Sequence, residues 1–402
     1  MIKINLLKGN NLETLKQLSD NSVDSIVTDP PYGLSFMGKK WDYDVPTTEL
    51  WQECFRVLKP GGHLLAFFGT RTYHRGVVRI EDAGFEIRDQ IQWIYGSGFP
   101  KSHDVAKGID VAKGKKISEN RSMSGGNYER LRHELKTLEA KQWDGWGTAL
   151  KPANEPIVVA RKPLDKGLTI AENVLKYGTG AINVDAGRIA TSDEIPSTTN
   201  QNIKNNSYKT DNSDPERDTV YTQHAQGRWP ANVILDEQAA EMLDEQSGTK
   251  IRMSSCIGIK RTSQHSFNIG QSKDQKGQTI SANEYGGASR FFYVAKASKS
   301  EKNKGLEGLP LVESGIKNDS GRGFSKSDPY KIILNQNFHP TVKPIKLMQY
   351  LIKLVTPPNG TVLDPFMGSG STGVAAKELG FNFVGCELSP EYFEIAQKRV
   401  NG

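Results

Sequence analysis

The chain predicts an α/β fold: a parallel, helix-flanked sheet interrupted by a long insertion. Three observations carry this expectation. Residues 2–95 alternate short apolar, β-branched runs with stretches whose leucines recur at helical spacing, the order of strand–helix–strand units. Residues 338–402 return to the same alternation. Between them, residues 96–337 are polar and glycine-punctuated, with only isolated apolar islands, so they read as an extension set into the α/β frame. The expected organisation is therefore a first half-domain at 1–95, an inserted region at 96–337 with a strand near 155–161 returning to the sheet, and a second half-domain at 338–402.

Taken in order, Ile2 to Leu7 reads as a strand, and Asn11 to Leu18 as a short helix with Leu12, Leu15 and Leu18 on one face. Ser22 to Val27 is a buried strand that runs into Asp29-Pro30-Pro31-Tyr32. A glycine-punctuated loop follows at Gly33 to Asp44, with Lys39, Lys40 and Trp41. It suits either a segment that reaches a phosphate or a plain connection. Thr47 to Leu58 is helical, and Lys59-Pro60-Gly61-Gly62 is expected to stop it. His63 to Phe68 is a strand, Thr72 to Ala83 a helix and Phe85 to Tyr95 a strand.

Within the insertion, Lys101 to Lys141 carries ten Lys or Arg against six Asp or Glu, and Leu131, Leu135 and Leu138 suggest a charged amphipathic helix. It abuts Trp143 and Trp146, a mixture that suits either a solvated face or contact with a nucleic-acid strand. Glu155 to Arg161 reads as a strand, residues 191–228 as a loop, and Arg228 to Leu235 and Arg290 to Ala295 as strands. Pro344 to Val355 is a helix, Thr361 to Leu363 a strand, the stretch after Gly370 a helix through Leu379, and Phe383 to Glu387 a strand. Ser389 caps a last helix whose first turn holds Pro390.

The composition bounds the function. No apolar run reaches the roughly 18 residues a membrane span needs, which predicts a cytoplasmic protein without membrane contact. The three cysteines, Cys54, Cys256 and Cys386, are far apart and make no metal-ligand spacing, so reduced thiols and no metal are expected. The formal charge of +6 is compatible with nucleic acid without requiring it.

Two corners carry chemistry. Pro30 and Pro31 lack N–H groups and fix φ, so they stiffen the chain where the strand ends. Asp29, the Pro30 carbonyl and Tyr32 are then presented together at the strand's C-terminal edge, where open α/β sheets bind ligands. Two acceptors and one flat ring suit an aromatic amine, although Asp-Pro also occurs in ordinary turns. The second corner is Asp364-Pro365-Phe366-Met367-Gly368-Ser369-Gly370, between a strand and a helix, with Glu387 ending the next strand. Its glycines let backbone approach a ligand, and a carboxylate at Glu387 can take two ribose hydroxyls. The glycine spacing is neither the dinucleotide fingerprint nor a P-loop. Asp364 and Glu387 would repel a polyphosphate and suit a ligand with an amine and a ribose, such as S-adenosyl-L-methionine.

With Asp29-Pro30-Pro31-Tyr32 early, a variable middle, then His339-Pro340-Thr341-Val342-Lys343-Pro344 and Asp364 to Gly370 late, the chain resembles the amino-methylating DNA methyltransferases of the β arrangement, phage or prophage enzymes included. The resemblance covers residues 1–95, 150–161 and 338–402. It implies a Rossmann-like S-adenosylmethionine-dependent methyltransferase sheet with the insertion as target-recognition region. It implies Asp29, Pro30 and Tyr32 as the residues that hold the amine of a flipped base. It implies Phe366, Gly368, Gly370 and Glu387, with Asp364, as the cofactor site, and Thr341 and Lys343 at its methionine end. Asn10 stands where the family often has an acid, so it would meet an adenine ring without charge.

The expected activity is methylation of adenine N6 in double-stranded DNA, because the Asp-Pro-Pro-Tyr version of the motif mostly serves adenine in this family. Cytosine N4 methylation, an RNA or protein-glutamine methyltransferase, and a catalytically silent DNA-binding accessory protein are the alternatives. A homodimer and a cognate restriction endonuclease are further partners the resemblance allows.

Overall fold

The computed structural model describes residues 2–34, 42–98, 102–115, 134–191, 198–199, 220–221, 226–248, 286–295, 301, 303, 305–307, 312–313, 334–339 and 341–402. They form two compact units, one of residues 1–94 and 155–402 and one of residues 95–154. The larger unit is a nine-stranded sheet with helices. Its strands are β1 (Ile4–Lys8), β2 (Val23–Thr28), β3 (Leu58–Phe67), β4 (Glu86–Ile94), β5 (Asn154–Arg161), β6 (Val233–Asp236), β7 (Tyr293–Ala295), β8 (Thr361–Asp364) and β9 (Asn382–Glu387). Their order across the sheet is β1-β9-β8-β2-β3-β5-β4-β6-β7. The pairs β1–β9, β9–β8, β8–β2 and β2–β3 are parallel, so five C-terminal strand ends, those of β1, β9, β8, β2 and β3, fall side by side on one rim.

The sheet is covered on both faces because its strands alternate between two cores. Val27, Leu65, Phe67 and Val159 pack in one apolar cluster with Leu347, Leu351 and Ala375, while Ile26, Leu64, Ala66 and Val158 pack in another with Trp51, Cys54 and Ile80. Strands buried on both faces read as continuous apolar runs, and that is how β2 and β3 read. The first face is covered by α9 (Ile345–Val355) and α10 (Ser371–Glu378), the second by α2 (Thr48–Val57) and α3 (Tyr73–Asp82). The remaining helices are α1 (Asn11–Leu15), α4 (Val105–Ala112), α5 (Leu138–Gln142), α6 (Ile170–Tyr177), α7 (Val184–Gly187), α8 (Glu237–Ser247) and α11 (Pro390–Asn401).

Several expectations shift. The helix after Asn10 ends at Leu15, not Leu18, because the chain goes into turns at Gln17 and Leu18. The Lys59–Gly62 run does not lie between helix and strand. Leu58 is already extended at the end of α2 and opens β3. The register jumps from Val23↔Leu58 to Ser25↔His63, so residues 59–62 bulge out of the ladder, with Pro60 lacking a donor and Gly61 at φ +79°. Asn173 and Thr179 donate to the Pro60 carbonyl and hold the bulge from outside the strand.

The sheet is also not uniformly parallel. β5 runs antiparallel to β3, pairing Phe67 with Ile157, which brings the first residues of β5 to the rim where β3 ends. Beyond β5, residues 233–236 and 293–295 join the sheet as strands, shorter than their apolar runs suggested because Ala288–Phe291 is a 3-10 turn and β6 begins only at Val233. The helix α8 follows β6 directly and was not expected.

In the smaller unit, Leu131 lies outside the described residues. Leu135 is not helical, and Leu138 opens the five-residue α5 while 82% exposed. The leucine spacing therefore marks no amphipathic helix there. Instead α4 and α5 pack together, and the buried Asp110 accepts from the Lys136 and Thr137 backbone N–H groups and the Thr137 hydroxyl. Trp143 and Trp146 meet edge to face at 4.9 Å. Most of the Gly33–Asp44 loop, residues 192–197 and 200–219, and Cys256 also lie outside the described residues. Cys54 and Cys386 are buried free thiols. Among the described residues no helix is long and apolar enough to cross a membrane.

Candidate active site

β2 delivers Asp29 to the rim, and the loop after it is set by a residue the sequence did not single out. Asp42 is buried, and its carboxylate accepts the Tyr32 N–H at 2.7 Å, the Gly33 N–H at 2.9 Å and the Leu34 N–H at 3.2 Å. Three backbone donors gathered on one carboxylate hold the loop after the two prolines in a single shape.

Asp29 does not stand alone. The Tyr32 hydroxyl lies 2.8 Å from Asp29 Oδ1 and 2.9 Å from Glu155 Oε2. The Lys343 ammonium donates to Asp29 Oδ2 at 2.6 Å and lies 3.2 Å from both Glu155 Oε2 and the Tyr32 hydroxyl. Four polar side chains from three distant segments thus close into one largely buried cluster. Burial pushes the Asp29 carboxyl up, against the lowering pull of Lys343, and Glu155 pushes it up further. Burial alone would lower Lys343, but the Asp29 and Glu155 carboxylates outweigh it and hold the ammonium above its ordinary value. Tyr32 is pushed well up by burial and by the same two carboxylates, so its hydroxyl keeps its proton. Lys343, expected at the methionine end of the cofactor, thus pairs with Asp29. Glu155 was read only as part of a returning strand. Its signal was a carboxylate just before a proline at the start of a strand, which becomes informative once β5 is known to run against β3.

The second corner is built mainly from backbone. Asp364 ends β8, is buried, and uses both oxygens on protein: Oδ1 accepts from the Thr28 hydroxyl at 2.6 Å and the Phe366 N–H at 3.0 Å, and Oδ2 from the Thr372 hydroxyl at 2.5 Å. It ties β2 to the glycine turn. Gly368 and Gly370 take φ of +52° and +82°, where L side chains are strained. A Cβ on Gly368 would meet His339 Nε2 at 2.7 Å, and one on Gly370 would meet the Ala396 backbone at 3.1 Å. Arg399, from α11 and unforeseen, clasps the turn by donating to the Ser369 carbonyl at 2.6 Å and to the Ser369 and Ser371 hydroxyls.

Phe366 faces Trp51 at 6.3 Å between ring centres. Glu387 ends β9, its Oε1 accepting the Ser389 N–H at 2.7 Å. Burial pushes its carboxyl up to about 7, and that of Asp364 up to about 6. The exposed Asn10 spends its side-chain oxygen on the Leu12 N–H as the cap of α1, next to Gly9, whose N–H reaches the Glu387 carbonyl. Thr341 lies beside His339, donating its N–H to the ring at 3.4 Å. The left-handed glycine turn, the N-terminus of α10 and a raised carboxyl at the next strand end fit a ligand that offers hydroxyl donors and no phosphate.

The two corners share the rim. β2 and β9 flank β8, so Asp29 and Glu387 leave strands two places apart, roughly 10 Å across the sheet. The Thr28–Asp364 hydrogen bond joins the corners directly. A separate cleft lined by Asn183, Lys353, Thr356 and Phe381 shares no residue with either.

A DNA methylase family model, covering N6- and N4-type enzymes, matches residues 23–398. The chain is 49% identical over 63 residues to the type II methyltransferase M2.LlaDCHI of Lactococcus lactis subsp. cremoris, a match that covers 16% of this chain and 23% of that relative, so less than a quarter of that relative's length is spanned. It is 22% identical to the type II methyltransferase M.HindIII of Haemophilus influenzae over 430 aligned residues, 96% of this chain and 91% of the relative. Among solved structures, the M1.HpyAVI–SAM complex aligns at 17% identity and a TM-score of 0.39, covering 99% of this chain and 100% of that one. The cytosine-N4-specific PvuII DNA methyltransferase aligns at 14% identity and a TM-score of 0.44, covering 99% and 87%.

Proposed function

Because the chain belongs to the DNA methylase family of N6- and N4-amino methyltransferases, we propose that it methylates the N6 amine of a flipped adenine in double-stranded DNA, with S-adenosyl-L-methionine as donor. The observation that carries this reading is the shared rim, on which Asp29 and the glycine turn with Glu387 leave strands separated only by β8. When bound, the donor supplies an electrophilic methyl group on a sulfonium. Glu387 takes its ribose hydroxyls, Gly368 and Gly370 admit it close to backbone, and Phe366 and Thr341 border it.

A base cannot be reached inside a duplex, so it is flipped out at a cost of a few kcal/mol. Tyr32 stacks the flipped base. Asp29 and the Pro30 carbonyl accept its two amine hydrogens and aim the nitrogen. Asp29 keeps room for this role, since a carboxylate offers about four acceptor positions and Tyr32 and Lys343 occupy two. The rate advantage is mainly orientation. Adenine is the assignment because the motif begins with Asp29, and the Asp-Pro-Pro-Tyr version mostly serves adenine in this family. The parts of residues 96–337 outside β5, β6 and β7 read the target, and the type II names of the relatives support a paired restriction endonuclease in the same cell.

Mass spectrometry of nucleosides from duplex DNA treated with the protein and the donor tests the reading. N6-methyladenine is expected. N4-methylcytosine would move the assignment to the other branch of the family, and absence of any methylated base would remove it.

A further inference from the structure

We infer that Glu155 is the terminus of a proton path that starts at Asp29 and runs through the Tyr32 hydroxyl; the inference rests on the methyl-transfer reading above. The geometry is a chain. Asp29 Oδ1 lies 2.8 Å from the Tyr32 hydroxyl, which lies 2.9 Å from Glu155 Oε2. Both gaps are hydrogen-bond lengths, yet the hydroxyl has one proton and so serves one carboxylate at a time. The groups facing Glu155 are Asp29 and Tyr32 from the corner after β2 and Lys343 from the segment before α9.

Lys343 lies 2.6 Å from Asp29 and 3.2 Å from Glu155, so the shorter ion pair keeps the charge on Asp29 and leaves Glu155 as the place for a proton. Two carboxylates and one ammonium sum to −1 in a largely buried cluster, so it has room for one proton. Methyl transfer releases one. The amine nitrogen bonds the methyl carbon, the C–S electron pair stays on sulfur as a thioether, and the nitrogen carries the positive charge until an N–H bond breaks. That proton goes to Asp29. Asp29 is then able to donate to the Tyr32 oxygen while Tyr32 passes its own proton to Glu155. Asp29 is left ionised and bound to Lys343, and the cluster ends neutral. Lys343 cannot be the acceptor, since its ammonium is already protonated and is held so by both carboxylates. Glu155 touches no reacting atom and is a positioning residue for the proton.

The test is E155Q in the full-length protein, followed by single-turnover methyl transfer to duplex DNA across pH, beside wild type. Gln keeps the shape and an acceptor oxygen but cannot take the proton. The expected result is a plateau rate lower by on the order of 10- to 100-fold, with donor binding unchanged. The acidic limb should also move to lower pH, because Asp29 loses a neighbouring negative charge that raises it. A wild-type plateau overturns the inference, and so does a lowered plateau that E155D, which restores a carboxylate able to take the proton, fails to raise. Should E155Q fail to fold, Y32F carries the test. It deletes the linking hydroxyl and keeps the ring, so it must lose plateau rate by a similar factor with donor binding intact, and a wild-type plateau overturns the path. If wild type itself methylates no DNA, the functional reading has failed rather than the relay.

Discussion

The two corners of the rim are built in opposite ways. The glycine turn is local: Asp364 to Thr372 lie within one strand–turn–helix unit, and its shape comes from left-handed glycines and from Asp364 bonding a residue eight positions on. The Asp29 corner is assembled: Asp29, Glu155 and Lys343 come from segments more than a hundred residues apart and are held by ion pairs between side chains. The difference teaches where each corner is vulnerable. Backbone conformation is fixed by residue type and changes little with pH. A buried charge cluster is fixed by balance, so removing one member alters the protonation of the rest.

The largest expected effect is on the assembled corner. D29A should reduce methyl transfer to duplex DNA by about 10³-fold or more, within the range lost with a positioned acceptor, while equilibrium binding of the donor is unchanged. Equal losses in both would mean the corners are one site energetically, and the contrast would break. Next is K343M. Removing the cation leaves two carboxylates facing each other, a change that costs about 3 kcal/mol when a buried pair is broken, read by denaturant unfolding. Lys343 lowers Asp29, so without it Asp29 rises further and the acidic limb of activity should move to higher pH, opposite to the shift expected for E155Q.

The smallest effect belongs to the local corner. Burial raises Glu387 from 4.5 to about 7. A carboxyl raised in the fold adds stability below its unfolded value and loses it as pH rises through the folded one. Wild-type Tm should therefore fall between pH 4.5 and 7 relative to E387Q, which has no such group. The difference should be a few degrees, at about 2–4 °C for each kcal/mol lost. Identical pH dependence in the two proteins would remove Glu387 from the buried, protonatable position assigned to it.

Sequence by itself determined what depends on neighbours in the chain. Strand β2 and its proline corner, the glycine turn, Glu387 at the next strand end and the Ser389–Pro390 start of α11 were all legible, because φ restriction, capping and apolar periodicity act over a few residues. Tertiary structure decided what depends on distant partners. It set β5 antiparallel to β3 and so brought Glu155 to the rim. It paired Lys343 with Asp29, and it gave Asp42 and Arg399 their work. For Asp29, Glu155 and Lys343 the partner is chosen by burial and by whichever opposite charge the packed core leaves in reach, and no spacing along the chain encodes that choice.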